Sequence, residues 1–239
     1  MVHVSFAQKH FEMQFCNEEM VLTPSRALYW PRERAILVAD LHLEKGSFYA
    51  AHGQMVPPYD SRETLARLAD AVRETGARRV YSLGDSFHDN AGESRLEPYA
   101  AGMLDALTRS LDWVWITGNH DEELRGVLGG SIAEELEIGG ILLRHEAVAG
   151  VTRPELSGHF HPKMRVRVRE RSISRPCAVV ARDEAGNSRM ILPAFGAYTG
   201  GMDAGDPAIL GALQPTSRID AVLPVKDRLA QFPLWREVA

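Results

Sequence analysis

Histidine, aspartate and asparagine gather in five short islands, and each island follows or interrupts an apolar run. The islands are Asp40-Leu41-His42, Gly84-Asp85, Gly118-Asn119-His120-Asp121, His145 and Gly158-His159-Phe160-His161. The apolar runs 35–39, 80–83, 113–117 and 141–143 read as buried strands. Candidate ligands therefore cluster where strands end, which constrains the fold more than any bulk property does.

With 239 residues, 45% hydrophobic and 25% charged, the chain is long enough to bury a full core, and residues 1–239 are expected to form one domain. It contains no 18-residue apolar run, and its first residues are too polar for a signal peptide. The expectation is a soluble, unexported, cytoplasmic protein with no membrane contact. Cys16 and Cys177 cannot build a disulfide framework and lie in no CxxC pair, which suits a reducing compartment. A net charge of -5 argues against coating nucleic acid by bulk charge.

Along the chain, residues 1–30 read as short strands and Pro31 to Arg34 as a polar turn. Asp60 to Glu63 opens a helix with an N-cap candidate. Leu65, Leu68, Ala69 and Val72 give that helix an apolar face, and Gly76 stops it. Leu96 to Leu107 has helical spacing with Pro98 in a first turn. Strand, helix, strand, helix, strand predicts a wound α/β layer. Helical periodicity fades after about residue 131, where Gly139-Gly140 and the stretch 183–187 read as hairpin turns. The second half is thus strand-rich, consistent with a second sheet packed on the first.

Each island has a chemical reading beside an ordinary one. In Asp40-Leu41-His42 the alternation of a strand would turn carboxylate and imidazole to the same side, although such a pair alone is more often an ordinary turn or cap. Gly84 permits a sharp turn that presents Asp85. In Gly118 to Asp121, Asn119 offers a neutral carbonyl ligand and His120, turned elsewhere, can carry a proton near neutral pH. The same four residues could be a plain left-handed turn. His159 and His161 would share one face, a spacing that usually means metal. His145 alone fits a core or surface role.

All five islands together, in this order, resemble the calcineurin-like metallophosphoesterase superfamily, whose pattern D-x-H, GD, GNH[DE], H, GHxH is matched across roughly residues 35–162. The resemblance implies an α/β (α+β) sandwich of two packed mixed β-sheets flanked by helices. It also implies two divalent metal ions, one held by Asp40, His42, Asp85 and His161, the other by Asp85, Asn119, His145 and His159. Asp85 would bridge them. Mixed nitrogen and oxygen ligands suit Mn²⁺, with Fe or Zn²⁺ as alternatives. Metal-activated hydroxide would attack phosphorus directly, His120 would act as general acid, and Asp121 or Asp89 would orient it.

Gly84-Asp85-Ser86-Phe87-His88 is similar to the GD-x-F-H element of double-strand-break repair nucleases in this superfamily, which gives His88 a role in catalysis on a DNA backbone. As an ordinary residue, His88 would be a polar loop side chain. The segment 87–90 lacks the arginine of the protein phosphatase branch, which counts against phosphoprotein substrates. Further segments, Ala39 to Gly46, Gly84 to Asp89, Leu142 to His145, Gly158 to Pro162 and Leu192 to Gly201, resemble the bacterial DNA-ligase-associated metallophosphoesterases, proposed DNA damage response endonucleases. With these the resemblance reaches about residue 203. It implies DNA as substrate, and a DNA ligase and a DEXH-type helicase as partners.

Independently of the resemblance, Lys163, Arg165, Arg167, Arg169 and Arg171 are all odd-numbered, so a strand would place them on one face directly after the Gly158 to His161 loop. Such a ladder can track phosphates without reading sequence, or it can be the solvated face of an edge strand. Phe195 to Gly201 could approach a phosphate through its amides or simply pack a last strand. Lys45, Phe48 and Tyr49 would line the cleft; His3, His10 and His52 read as surface residues. Three functions stay open: a DNA phosphodiesterase or endonuclease, a small-molecule phosphatase or nucleotide phosphodiesterase, and a non-catalytic scaffold, against which an intact ligand set and His120 argue.

Overall fold

The computed structural model describes residues 11–123 and 129–237; the expectations for residues 1–10, with His3 and His10, fall outside them. One seven-stranded sheet takes its strands in chain order: β1 (Glu12–Phe15), β2 (Glu18–Leu22), β3 (Leu28–Trp30), β4 (Ala35–Val38), β5 (Arg79–Leu83), β6 (Asp112–Ile116) and β7 (Ser131–Ala133). The pairs from β1 to β4 are antiparallel and those from β4 to β7 are parallel. Parallel neighbours need crossovers. Helices α1 (Lys45–Ala51) and α2 (Asp60–Thr75) carry the chain from β4 to β5, and α3 (Gly92–Arg95) and α4 (Pro98–Ser110) from β5 to β6.

The remaining strands are β8 (Leu136–Ile138), β9 (Ile141–Leu143), β10 (Glu155–Ser157), β11 (Lys163–Val168), β12 (Arg171–Pro176), β13 (Ala178–Arg182), β14 (Ser188–Ile191), β15 (Arg218–Val225) and β16 (Arg228–Arg236), with α5 (Pro207–Ala212) before β15. A second seven-stranded sheet has the order β16-β15-β13-β14-β10-β9-β8, and β11 pairs with β12 as a separate hairpin. Gly139-Gly140 and residues 183–187 are the connections of antiparallel pairs, as expected.

Strand periodicity decides the layers. Leu37, Leu83 and Ile116 of the first sheet meet Leu143, Leu156, Val180 and Met190 of the second in one buried cluster. The opposite face of the first sheet, Ile36, Val38, Val80 and Trp115, packs on Leu65, Leu68 and Ala71 of α2 and Leu104 of α4. Val179, Ile191 and Ile219 turn outward to Ile209 of α5 and to Leu213. The result is two mixed sheets packed together and flanked by helices, the expected fold class. Strand β4 is buried on both faces, which explains its unbroken apolar run.

Two local readings differ. Tyr59 is the N-cap of α2, and Asp60 lies inside the first turn, where its Oδ2 accepts the Gly46 N–H at 3.0 Å. Helix α5 escapes periodicity because its six residues make under two turns; Asp206 caps it by accepting from Ala208 N at 2.9 Å. Among the described residues no helix is long and apolar enough to cross a membrane.

Candidate metal centre

The ends of β4, β5 and β6 and the loops after β9 and β10 meet on one rim, and the local backbone there is unusual. Asp40, His42, Glu44, Asp85, His159 and His161 all have left-handed φ, between 44° and 73°. Each such non-glycine residue costs on the order of 1 kcal/mol or more, a cost that concentrates at functional sites. The left-handed turns also correct the strand reading of Asp40-Leu41-His42. Strand β4 stops at Val38, and alternating left-handed residues, not a pleat, bring the two side chains inward.

The side chains fall into two groups. In the first, His42 Nε2 lies 3.2 Å from His161 Nε2 and His161 Nε2 lies 3.4 Å from Asp40 Oδ1. In the second, Asn119 Oδ1 lies 2.9 Å from His145 Nε2 and 3.0 Å from His159 Nδ1, with the two imidazole nitrogens 3.1 Å apart. Asp85 stands between them, Oδ2 at 3.7 Å from His42 Nε2 and Oδ1 at 3.4 Å from His145 Nε2. His159 and His161, expected to share a face, thus part to different groups.

Protonation tests whether a cation fits. His145 Nδ1 lies 3.0 Å from the Leu83 carbonyl, which can only accept, so Nδ1 carries the proton and Nε2 presents a lone pair. That lone pair faces the Asn119 carbonyl oxygen, Asp85 and His159. Acceptors facing one another about 3 Å apart repel unless a proton or a cation sits among them, and adjacent ligands of an ion with bonds of about 2.1 Å are separated by about 3.0–3.4 Å. Burial, then the charges of His161 and Lys45, push His42 far below the ordinary imidazole value, and burial lowers His159 despite Glu146. Neutral imidazoles are the ligand form. Asp40-His42-His161 and Asp85-His145-His159 are both sets that could hold a metal ion. Glu146, which sequence alone did not single out, stands 3.7 Å from His159 Nε2, on the side of the ring away from Asn119 and His145.

A model of the calcineurin-like phosphoesterase family matches residues 34–167. The chain belongs to the calcineurin-like phosphoesterase family. Like that family it is a metal-dependent phosphoesterase, and the family uses divalent metals. No curated protein matches it. The crystal structure of the Pseudomonas putida nuclease MPE is similar at 26% identity and TM-score 0.67, with 93% of this chain and 98% of that chain covered. The E. coli phosphoesterase YfcE is similar at 15% identity and TM-score 0.43, covering 84% of this chain and 98% of that one.

Around this calcineurin-like centre, His120 and His88 stack with ring centroids 5.2 Å apart, and the edge of Phe48 meets His88 at 4.7 Å. Burial, then the charges of Lys45 and His120, lower His88 to about 4. Lys45 lies 5.9 Å over the Tyr49 ring, so α1 supplies an aromatic wall beside these histidines. His52 is exposed and tilts against Phe48 at 4.3 Å. Glu44 was also missed: its N–H donates to Ser61 Oγ at 2.9 Å and its carboxylate accepts from the same hydroxyl at 2.8 Å, tying the first island to α2. A cavity of about 630 Å³ opens beside Asn119 and His145, with Glu122, Glu134, Glu135 and Glu146 around it.

Three expectations need correction. Asp121 does not orient His120; its carboxylate is buried and accepts from Gly118 N at 2.8 Å, Ser86 N at 2.6 Å and Phe87 N at 3.2 Å. Three backbone donors outcompete one imidazole for a buried acceptor. Asp89 instead pairs with both arms of Arg95, at 2.9 and 2.8 Å. The basic ladder is also shorter than the odd-number pattern. Strand β11 ends at Val168, Arg169 sits in the turn at φ 56°, and Arg171 opens β12 opposite Val168. Only Lys163, Arg165 and Arg167 share the solvent-facing side, while Met164 packs inward.

Proposed function

We propose that this calcineurin-like phosphoesterase is a two-metal phosphodiesterase that cuts DNA. The observation that carries the reading is the split Asp85 carboxylate, one oxygen in each ligand group, with His120 beside both. Asp40, His42, Asp85 and His161 would hold one ion, and Asp85, Asn119, His145 and His159 the other. Mixed nitrogen and oxygen donors suit Mn²⁺, Fe or Zn²⁺ alike, and Mn²⁺ is the ion taken for this reading. Such a pair would acidify a water and neutralise the attacking and leaving oxygens of an in-line displacement.

The chain's own residues supply the rest. His120 Nδ1 is held by the His88 carbonyl at 2.8 Å, which leaves Nε2, 3.9 Å from Asp85 Oδ2; with both ring nitrogens protonated, Nε2 would pass its proton to the leaving alkoxide and the ring would return to the neutral form. His88 stacks on His120 and keeps its ring in plane. Lys163, Arg165 and Arg167 lie on the hairpin after the His161 loop, where they attract a polyanion. Similarity to the Pseudomonas putida nuclease MPE over nearly both chains supports nucleic acid over small phosphomonoesters. A role in DNA repair, beside a DNA ligase and a DEXH-type helicase, belongs to the same reading and rests on the segments Ala39 to Gly46 and Leu192 to Gly201.

The test is hydrolysis with Mn²⁺ of bis-p-nitrophenyl phosphate, p-nitrophenyl phosphate and labelled single- and double-stranded DNA. Cleavage of DNA that disappears in His120→Ala supports the reading. Turnover of the small esters with intact DNA sinks the choice of substrate.

A further inference from the structure

Three cations from three distant parts of the chain converge on one loop. Arg26 donates from Nη1 to the Ala194 carbonyl at 3.1 Å, Arg67 from Nη2 to the Phe195 carbonyl, and Lys163 from Nζ to the Thr199 carbonyl at 3.3 Å. The loop is locked to the first ligand group. Phe195 N donates to Ala39 O at 2.8 Å and Gly196 N to Asp40 O at 3.1 Å, and a Cβ at Gly196 would run into the Leu41 backbone. The loop that collects the cations is thus bonded directly to Ala39 and Asp40 at the candidate metal centre.

Their number exceeds what the loop needs. A carbonyl is satisfied by one N–H from any neutral donor, whereas a guanidinium carries five donors and an ammonium three. Among the described residues each of these cations makes one hydrogen bond to the loop, and Arg67 Nε is buried with no partner there. Arg67 also lies 4.8 Å over the Phe195 ring, which fixes the plane of its guanidinium. Counter-charge is thin: Glu63, 62% exposed, stands 3.9 Å from Arg67 Nη1. The Arg26 charge acts unfavourably on both Arg67 and Lys163. Half-buried like charges at one spot cost folding energy, and an arriving anion offsets that cost.

The other side of the metal centre has the opposite character. Glu122, Glu134, Glu135 and Glu146 surround the cavity next to Asn119 and His145, and among the described residues Arg144 and Arg153 oppose them, both at Glu135. A polyanion engaged at the metal centre is repelled from that side and directed toward Arg26, Arg67 and Lys163.

We propose that Arg26, Arg67 and Lys163 form a second phosphate site, which holds the phosphate adjacent to the scissile one in a nucleic-acid strand. This rests on the phosphodiesterase reading above. The ligand is either an internal diester or a terminal phosphate, since both offer the same oxygens.

The test compares Arg26→Gln with the unaltered chain under Mn²⁺, on bis-p-nitrophenyl phosphate and on a short oligodeoxynucleotide with or without a 5′-phosphate. The expected result is a loss of kcat/KM at least tenfold larger on the oligonucleotide than on the small diester, carried mainly by KM. Losses confined to the 5′-phosphorylated strand assign the site to a terminal phosphate; losses on both strands assign it to an internal diester. Equal losses on the two substrate classes, or none, overturn the proposal and leave the cations a structural role. Should Arg26→Gln fail to fold by circular dichroism, Lys163→Gln, on its single long bond to the loop, carries the same comparison. Failure of the unaltered chain to hydrolyse the small diester sinks the phosphodiesterase reading instead. The phosphate site is then read from oligonucleotide anisotropy on the metal-free protein, where each lost cation should flatten the logarithmic salt slope by about 0.7. An unchanged slope overturns it.

Discussion

The backbone carbonyl of His88 lies 2.8 Å from His120 Nδ1 and leaves Nε2 as the ring nitrogen open to the site. A carbonyl oxygen can only accept, so Nδ1 keeps its proton in either charge state and Nε2 is the nitrogen at which the ring would gain and give the second one. Replacing His120 with Ala should lower kcat by about 10²–10⁴, the usual contribution of a positioned acid or base. Metal content measured on the same sample should stay at the level of the unaltered chain. A full kcat in His120→Ala would remove this residue from the reaction.

Buried Asp40 and Asp85 face one another's ligand groups across a backbone strained at both residues. Any cation bound there stabilises the fold, because the unfolded chain has no such arrangement. Saturating Mn²⁺ at about a hundred times its dissociation constant should raise the melting temperature by about 5–10 °C, and a chelator should reverse it. In Asp85→Asn, which touches both groups, the bound metal should fall below one ion per chain. Retention of two ions would show that Asp85 does not bridge.

The rim is largely legible in the sequence, because buried strands announce themselves as apolar runs and their ends carry the unusual residues. Strand β5 with Asp85 and strand β6 with Asn119 fall where the runs 80–83 and 113–117 place them. Conformation within the rim is not legible. Nothing in Asp40-Leu41-His42 separates a pleat from alternating left-handed turns, since both put the side chains together. Partners at long range are hidden for another reason. Asp121 looks like a neighbour of His120 by adjacency, yet its acceptors are claimed by Ser86 and Phe87, 35 and 34 positions away. The basic stripe shows the same limit, because one turn at Arg169 ends a face that odd numbering alone would extend.

Asp121 offers a direct test of that structural role. Its carboxylate joins the Gly84 to Phe87 and Gly118 to Asp121 loops through three N–H donors. Asp121→Ala strands those donors in a buried place and should cost about 2–4 kcal/mol in urea unfolding. Activity should be lost together with folded protein rather than with an altered pH profile. A fully stable Asp121→Ala with a shifted pH profile would return Asp121 to a role in proton transfer.

Asp220 of β15, in the second sheet, should contribute to acid stability. Burial alone would push its carboxyl up, but Arg218 at 2.5 Å, Arg236 at 2.6 Å and Gln231 at 2.7 Å outweigh burial and hold it below the usual carboxylate value. A carboxylate depressed in the folded state adds stability that is complete above its unfolded value of about 3.9 and is lost as pH falls through the folded one. Arg218 and Arg236 are nearly half exposed, so solvent screening limits the contribution to about 1–3 kcal/mol. Asp220→Asn should therefore be less stable than the unaltered chain at neutral pH. The gap should narrow below roughly pH 4, as the native carboxylate itself takes up a proton. Urea midpoints measured across this range decide the matter: a gap that widens on acidification would mean that the Asp220 carboxyl is raised, not lowered, in the folded chain.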